Sequence, residues 1–143
     1  MNVLLIGATG YAGSAILNEL VSRGHSVTAV VRDVSKLQDS QFVKAVAGDA
    51  TDPEALARLA RGKDAVISAY NPGWKNPRLY EDTLENYPKI VEGVRSSGVK
   101  RLLIVGGAGT AAVVVDHLSE QQRNHLTLQT EVPDDAVVNL LYV

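Results

Sequence analysis

Glycines at positions 7, 10 and 13 recur every third residue between an apolar run, Val3 to Ile6, and a segment with helical periodicity. A strand that turns tightly into a helix gathers unpaired backbone amides at one point, and the helix dipole adds partial positive charge there. Such a point holds an anion. Gly7-Ala8-Thr9-Gly10-Tyr11-Ala12-Gly13 is therefore read as a cradle for a diphosphate, with Gly7, Thr9, Gly10, Tyr11, Ala12 and Gly13 as its candidate contacts. In this reading Gly7 allows the turn, Gly10 lets the phosphates approach the backbone, and Gly13 lets the helix lie close to the strand. Turns and close packing also use glycines without any ligand, so the context has to carry part of the assignment.

That context lies about 20 positions on, at the end of a second apolar run, where a dinucleotide-binding fold places the residue that reads the adenosine ribose. Arg32 stands there, followed by Asp33. A guanidinium takes a ribose 2′-phosphate in a bidentate fork, and Ser35 and Lys36 add a hydroxyl and a second charge. NADP(H) is the expected cofactor, with NAD(H) as the alternative if Asp33 turns inward to the ribose and Arg32 and Lys36 are solvated.

The whole chain is consistent with a local phosphate site. With 143 residues, 45% hydrophobic and 21% charged, it has the proportions of one globular domain. A net charge of −2 gives polyanions no general attraction, so nucleic acid is not an expected partner. The absence of cysteine removes disulfides and thiolate chemistry, and suits a reducing compartment. The first apolar run is too short to span a membrane and has no basic leader, so a cytoplasmic protein without membrane contact is expected.

Strand-length apolar runs alternate with helix-period segments, which predicts an α/β fold of the Rossmann type: a doubly wound parallel sheet between two helix layers, in a single domain. Strands are expected at Val3 to Ile6, Val27 to Val31, Phe42 to Ala47, Ala65 to Ala69 and Leu102 to Val105, with a last one at 136–143. The first helix presents Ala12, Ile16, Leu17, Leu20 and Val21 and ends at Gly24. The second opens at Thr51-Asp52-Pro53-Glu54, read as a capping box with Thr51 as the cap, presents Leu56 and Leu59, and closes at Gly62. The third, after a loop from Tyr70 to about Leu79, presents Leu84, Tyr87, Val91 and Val94, with Pro88 expected to kink or restart it. Ala111 to Leu118 fits either strand or helix.

Several of these segments together resemble one family. Gly7 to Gly13, Val31-Arg32-Asp33, Gly48-Asp49-Ala50-Thr51-Asp52, Asp64-Ala65-Val66-Ile67-Ser68-Ala69, Asn71-Pro72-Gly73-Trp74 and Val105-Gly106-Gly107-Ala108-Gly109 are similar to the atypical short-chain dehydrogenase/reductases. Within them the likeness is to NmrA-like NAD(P)-binding proteins of the NADH-flavin reductase type, over about residues 1–110. The resemblance implies that Asp49 and Ala50 border the adenine and that Ser68, Ala69 and Tyr70 follow the ribose and nicotinamide. Gly106 and Gly107 would floor the reactive site. It also implies a small-molecule acceptor such as a flavin or quinone, and either turnover or, as in some NmrA-like regulators, redox sensing without catalysis.

The chain departs from that pattern in two ways. None of the five tyrosines is followed four residues later by lysine, and glycines replace the serine expected after strand five, so alcohol oxidation by a tyrosine-lysine relay is not expected. Hydride transfer between two rings held face to face needs no such relay. Residues 111–143 do not look like the family's longer substrate-side segment. Divergence, truncation or a changed reading frame each account for this, and a shortened pocket would be completed by a partner subunit or leave a sheet edge open to self-association.

The remaining constellations have plainer readings. Asp116-His117 with Ser119 lacks a nucleophile elbow. His25 follows a helix-ending glycine, and His117 and His125 lack helical metal-pair spacing, so no metal site is expected. Arg58, Arg61 and Lys63 cluster where cations complement a helix end. Tyr70 and Trp74 either stack on a cofactor ring or cover the sheet edge.

Overall fold

A computed structural model describes residues 1–105 and 138–142. Among these residues six strands form one sheet: β1 (Asn2–Ile6), β2 (Ser26–Val31), β3 (Val43–Ala47), β4 (Ala65–Ser68), β5 (Arg101–Val105) and β6 (Val138–Tyr142). Their order is β3-β2-β1-β4-β5-β6, with β1 to β5 parallel and β6 antiparallel to β5. The expected last strand is present over a shorter span, and it runs against the direction of a purely parallel sheet. Among the described residues three α-helices connect the strands: α1 (Tyr11–Ser22), α2 (Pro53–Ala60) and α3 (Leu79–Ser97).

The period of two along β1 divides the core. Leu4 and Ile6 join Leu56 and Ala60 of α2, Ile90, Val91 and Val94 of α3, and Val66, Leu102 and Ile104 of the sheet. Leu5 points to the other face, against Leu17 of α1, Val27, Ala29 and Val43. Leu4 and Leu5 are both fully buried, and each contributes on the order of 2 kcal/mol of apolar burial. The three-layer arrangement follows from strands that are apolar on both faces, a pattern that only helices on either side satisfy.

Three local expectations change. Thr51 does not cap α2: Asp52 is the N-cap, its Oδ1 accepting from the amides of Glu54 at 3.1 Å and Ala55 at 3.3 Å. The Thr51 hydroxyl instead donates to Asp49. A proline at the first helical position leaves the cap to the residue immediately before it, and that residue is aspartate. Pro88 does not restart α3, which runs unbroken from Leu79 to Ser97, stops at a left-handed Gly98 and packs its Tyr87 to Val94 face on α2. Leu84 is 40% exposed and lies off that face, where Ile90 and Gly93 are buried.

Asp52→Ala is expected to destabilise the protein by about 1 kcal/mol, since two amides of the first turn lose their acceptor. Thermal unfolding checks it, and Thr51→Ala serves as the comparison that should cost less.

Candidate functional site

The C-terminal ends of β1 to β4 open onto a cavity of about 600 Å³, walled by Ile6, Gly7, Thr9 and Gly10 from β1 and its turn, Val30 to Arg32 from β2, and Gly48 to Thr51 after β3. Ala69 to Pro72 after β4, Asn76, and Asp82 and Asn86 of α3 close it. It lies where the strand order reverses about β1, the position at which open α/β sheets leave a crevice.

The turn after β1 is shaped by contacts that exclude a side chain. Gly7 has φ +80°, and a Cβ on it would lie 2.6 Å from the Ala69 carbonyl oxygen. A Cβ on Gly13 would lie 1.8 Å from the carbonyl oxygen of Gly7, so helix α1 approaches the turn as closely as backbone allows. Gly10 differs: a Cβ there would meet only the Gly7 oxygen at 3.4 Å, and the residue lies on the cavity wall. Gly7 and Gly13 thus serve the fold, while Gly10 keeps space free for whatever enters.

Helix α1 begins at this turn without a side-chain cap and without an acidic residue in its first turn. The amide of Ser14 reaches the carbonyl of Gly10, so the orphan donors are those of Tyr11, Ala12 and Gly13. Helix α2, in contrast, is capped by Asp52 and carries Glu54. An uncapped amide cluster beside an open glycine suits a diphosphate.

Arg32 extends from the end of β2, is exposed, and makes no hydrogen bond or ion pair with a described residue. Its neighbour Asp33 is engaged: Oδ1 accepts from the Ser35 hydroxyl at 2.7 Å and the Ser35 amide at 3.0 Å, capping the single 3-10 turn Val34–Lys36. These bonds hold the Asp33 carboxyl below its ordinary pKa. Asp49 is held the same way, by the Thr51 hydroxyl at 2.6 Å and the Thr51 amide at 2.8 Å, and its carboxyl is likewise lowered, with Arg32 and Lys89 adding attraction. Both carboxylates therefore stay ionised well into the acidic range.

Tyr70 is half-buried. Its hydroxyl accepts from Asn86 Nδ2 at 2.8 Å, its carbonyl accepts from the Tyr87 hydroxyl at 2.8 Å, and the two rings meet edge to face at 5.8 Å. Burial, first, and the nearby Asp82 raise the phenol pKa. Asn76 donates to Asp82 at 2.7 Å, completing a polar wall.

Of the residues singled out from the sequence, Gly7, Thr9, Gly10, Arg32, Asp49, Ala50, Ala69 and Tyr70 come together on this cavity. Tyr11, Ala12, Gly13, Ser35 and Lys36 do not line it; the first three reach it only through their position in the turn, and Tyr11 is 99% exposed. Ser68 is fully buried beneath the wall, with Oγ 3.4 Å from the Tyr70 amide. Trp74 is 83% exposed and does not line the cavity. Gly106 and Gly107, the Asp116-His117-Ser119 group and His125 lie outside the described residues. His25 Nδ1 lies 3.0 Å from the Met1 amino group. Among the described residues no group of three or more His, Asp or Glu could hold a metal, and no helix is long and apolar enough to cross a membrane.

Sequence reasoning overlooked Asn76, Asp82 and Asn86. A signal was present in the i, i+4 spacing of Asp82 and Asn86, which puts two polar groups on one side of a helix beside the buried Tyr87.

The family described as NAD(P)H-binding matches residues 7–135, nearly the whole chain and well past Thr110. The chain belongs to this NAD(P)H-binding, NmrA-like family of atypical short-chain dehydrogenase/reductases. A solved structure of a candidate epimerase from Bacteroides thetaiotaomicron is 42% identical, with a TM-score of 0.67 over 75% of this chain and 47% of its own. YwnB of Bacillus subtilis is 36% identical over 113 residues, 79% of this chain and 50% of YwnB. The 3-diazoavenalumate denitrifying reductase of a Streptomyces species is 32% identical over 122 residues, 78% of this chain and 40% of that enzyme. The chain spans about half the length of these family relatives, or less.

Proposed function

We propose that this chain binds NADP(H) and serves a reductase that passes the reducing equivalents of NADPH to a flavin, a quinone or a similar small acceptor. The carrying observation is that one cavity combines an uncapped helix terminus beside an open Gly10 with a guanidinium that makes no hydrogen bond or ion pair with a described residue. The diphosphate would rest on the amides around Gly7 to Gly13 and the 2′-phosphate on Arg32. Asp33 is bonded to Ser35 through Oδ1 and does not line the cavity, whereas Arg32 does. When bound, the nicotinamide supplies a hydride to the acceptor.

The chain's own residues then have binding tasks. The turn fixes the phosphates, and the ends of β1 to β4 hold the dinucleotide extended across the sheet. Titrating NADPH and NADH while following nicotinamide fluorescence should show NADPH the tighter ligand, and FMN, riboflavin or 1,4-benzoquinone should accelerate NADPH oxidation. Equal affinities would remove the NADP(H) assignment.

A second reading rests on one specific feature, the absence of any Tyr-x-x-x-Lys pair in the chain. A redox sensor of the NmrA type binds the dinucleotide and signals its state to a protein partner without turnover. Tight NADPH binding with no acceleration by any of the three acceptors would select it.

A further inference from the structure

We infer that Tyr70, braced by Asn86, is the platform on which the adenine ring of the cofactor rests. This builds on the NADP(H) reading above and moves Tyr70 away from the nicotinamide, where the family resemblance put it. Three observations on the fold support the placement.

First, Tyr70 packs on the α2 and α3 face of the sheet, and so does Ala50, whereas the diphosphate turn leads into α1 on the opposite face. Second, Tyr70 lies within electrostatic reach of both Arg32 and Asp49, and all three line the same cavity. Third, an adenosine 2′-phosphate carries its base on the ribose carbon next to the one bearing the phosphate. If Arg32 holds that phosphate, the base falls beside the cavity residues within reach of Arg32, which are Asp49, with Ala50 next to it in the chain, and Tyr70.

The ring is suited to the task. The Asn86 amide fixes its hydroxyl, Tyr87 holds its carbonyl and packs edge-on against it, so little ordering remains to be done when a flat ligand arrives. The Tyr70 hydroxyl accepts from Asn86 and finds no acceptor among the described residues, which leaves its proton for a ligand nitrogen or oxygen. Asn86 acts through Tyr70 and is a positioning residue.

Fragments of the cofactor separate the two ends. Adenosine 2′,5′-bisphosphate carries the base and both phosphates without nicotinamide. Tyr70→Ala should weaken this fragment and NADPH by the same factor, on the order of tenfold, the range of base stacking on an aromatic side chain. Tyr70→Phe keeps the ring but gives up the hydroxyl and its Asn86 bond, so it should weaken the fragment less than Tyr70→Ala does, while Tyr70→Leu keeps apolar volume without a stacking face and should behave as the alanine variant does. Asn86→Ala should weaken the fragment less than Tyr70→Ala, and thermal unfolding of each variant confirms the fold.

Unchanged fragment affinity in folded Tyr70→Ala or Tyr70→Leu, with NADPH weakened, would return Tyr70 to the nicotinamide end and overturn the inference. Unchanged affinity for both ligands would make it a wall residue only, with the same consequence. A wild-type protein that binds neither ligand would defeat the NADP(H) reading itself, a separate and recognisable failure.

Discussion

Gly10→Val is expected to leave the protein folded with its NADPH binding severely weakened, whereas Gly13→Ala is expected to damage the fold itself. The two glycines look alike in the sequence, yet their surroundings differ. At Gly13 a single Cβ would sit 1.8 Å from the Gly7 oxygen and 2.6 Å from the Gly7 carbonyl carbon. Both are backbone atoms, and the same carbonyl accepts from the Gly10 amide at 3.1 Å, so relief requires helix α1 to move away from the sheet. Overpacking of this severity costs upwards of about 3 kcal/mol, or roughly 10 °C of melting temperature for a chain of this size.

Gly10 has φ −80° and ψ 175°, an extended conformation open to any residue. Valine there costs about 1 kcal/mol in cap preference, a few degrees, because the fold places nothing but the Gly7 oxygen near its Cβ. Its branches would occupy the space assigned to the diphosphate. Losing two charge-assisted bonds to backbone amides costs about 3 kcal/mol, a weakening of roughly a hundredfold or more. Melting curves and NADPH titration on both variants supply the check. A Gly10→Val protein that binds NADPH like wild type would place the phosphates elsewhere.

Arg32→Ala is expected to weaken NADPH by about ten- to a hundredfold and to leave NADH within about twofold. A bidentate charge-assisted contact with the 2′-phosphate contributes roughly 1.5 to 3 kcal/mol, and NADH has no group there to lose it. Arg32 is exposed, so the effect should shrink as salt rises from about 0.05 to 0.5 M. Arg32→Lys should fall between the two, since a lysine supplies charge without the planar fork. Parallel titrations with both nucleotides decide it, and equal losses for NADPH and NADH would mean that Arg32 shapes the cavity without reading the phosphate.

Much of this architecture was legible residue by residue. Val3 to Ile6, Val27 to Val31 and Leu102 to Val105 are short runs apolar on both faces, and their alternation with helical periods leaves a parallel sheet as the economical solution. The glycine turn was legible because its demands are local: one positive φ and one close backbone approach, both met by residues adjacent in the chain. Arg32 was legible through its distance from that turn. Local competition was harder to foresee, since Thr51 and Asp52 both suit a cap and only the backbone path shows Asp52 on the amides and Thr51 on Asp49.

The far wall of the site had no such local signature. Asn86 meets Tyr70, with Asp82 nearby and Asn76 bonded to Asp82, only because α3 lies over the sheet and packs on α2. Likewise, nothing in a glycine's identity distinguishes Gly10, which faces open space, from Gly13, which touches a carbonyl. Chain composition and spacing specify which backbone shapes are possible over a few residues, whereas the company each side chain keeps is settled when those shapes pack. For that reason the glycine turn could be read from seven consecutive residues, and the Tyr70 wall of the cavity required the folded molecule.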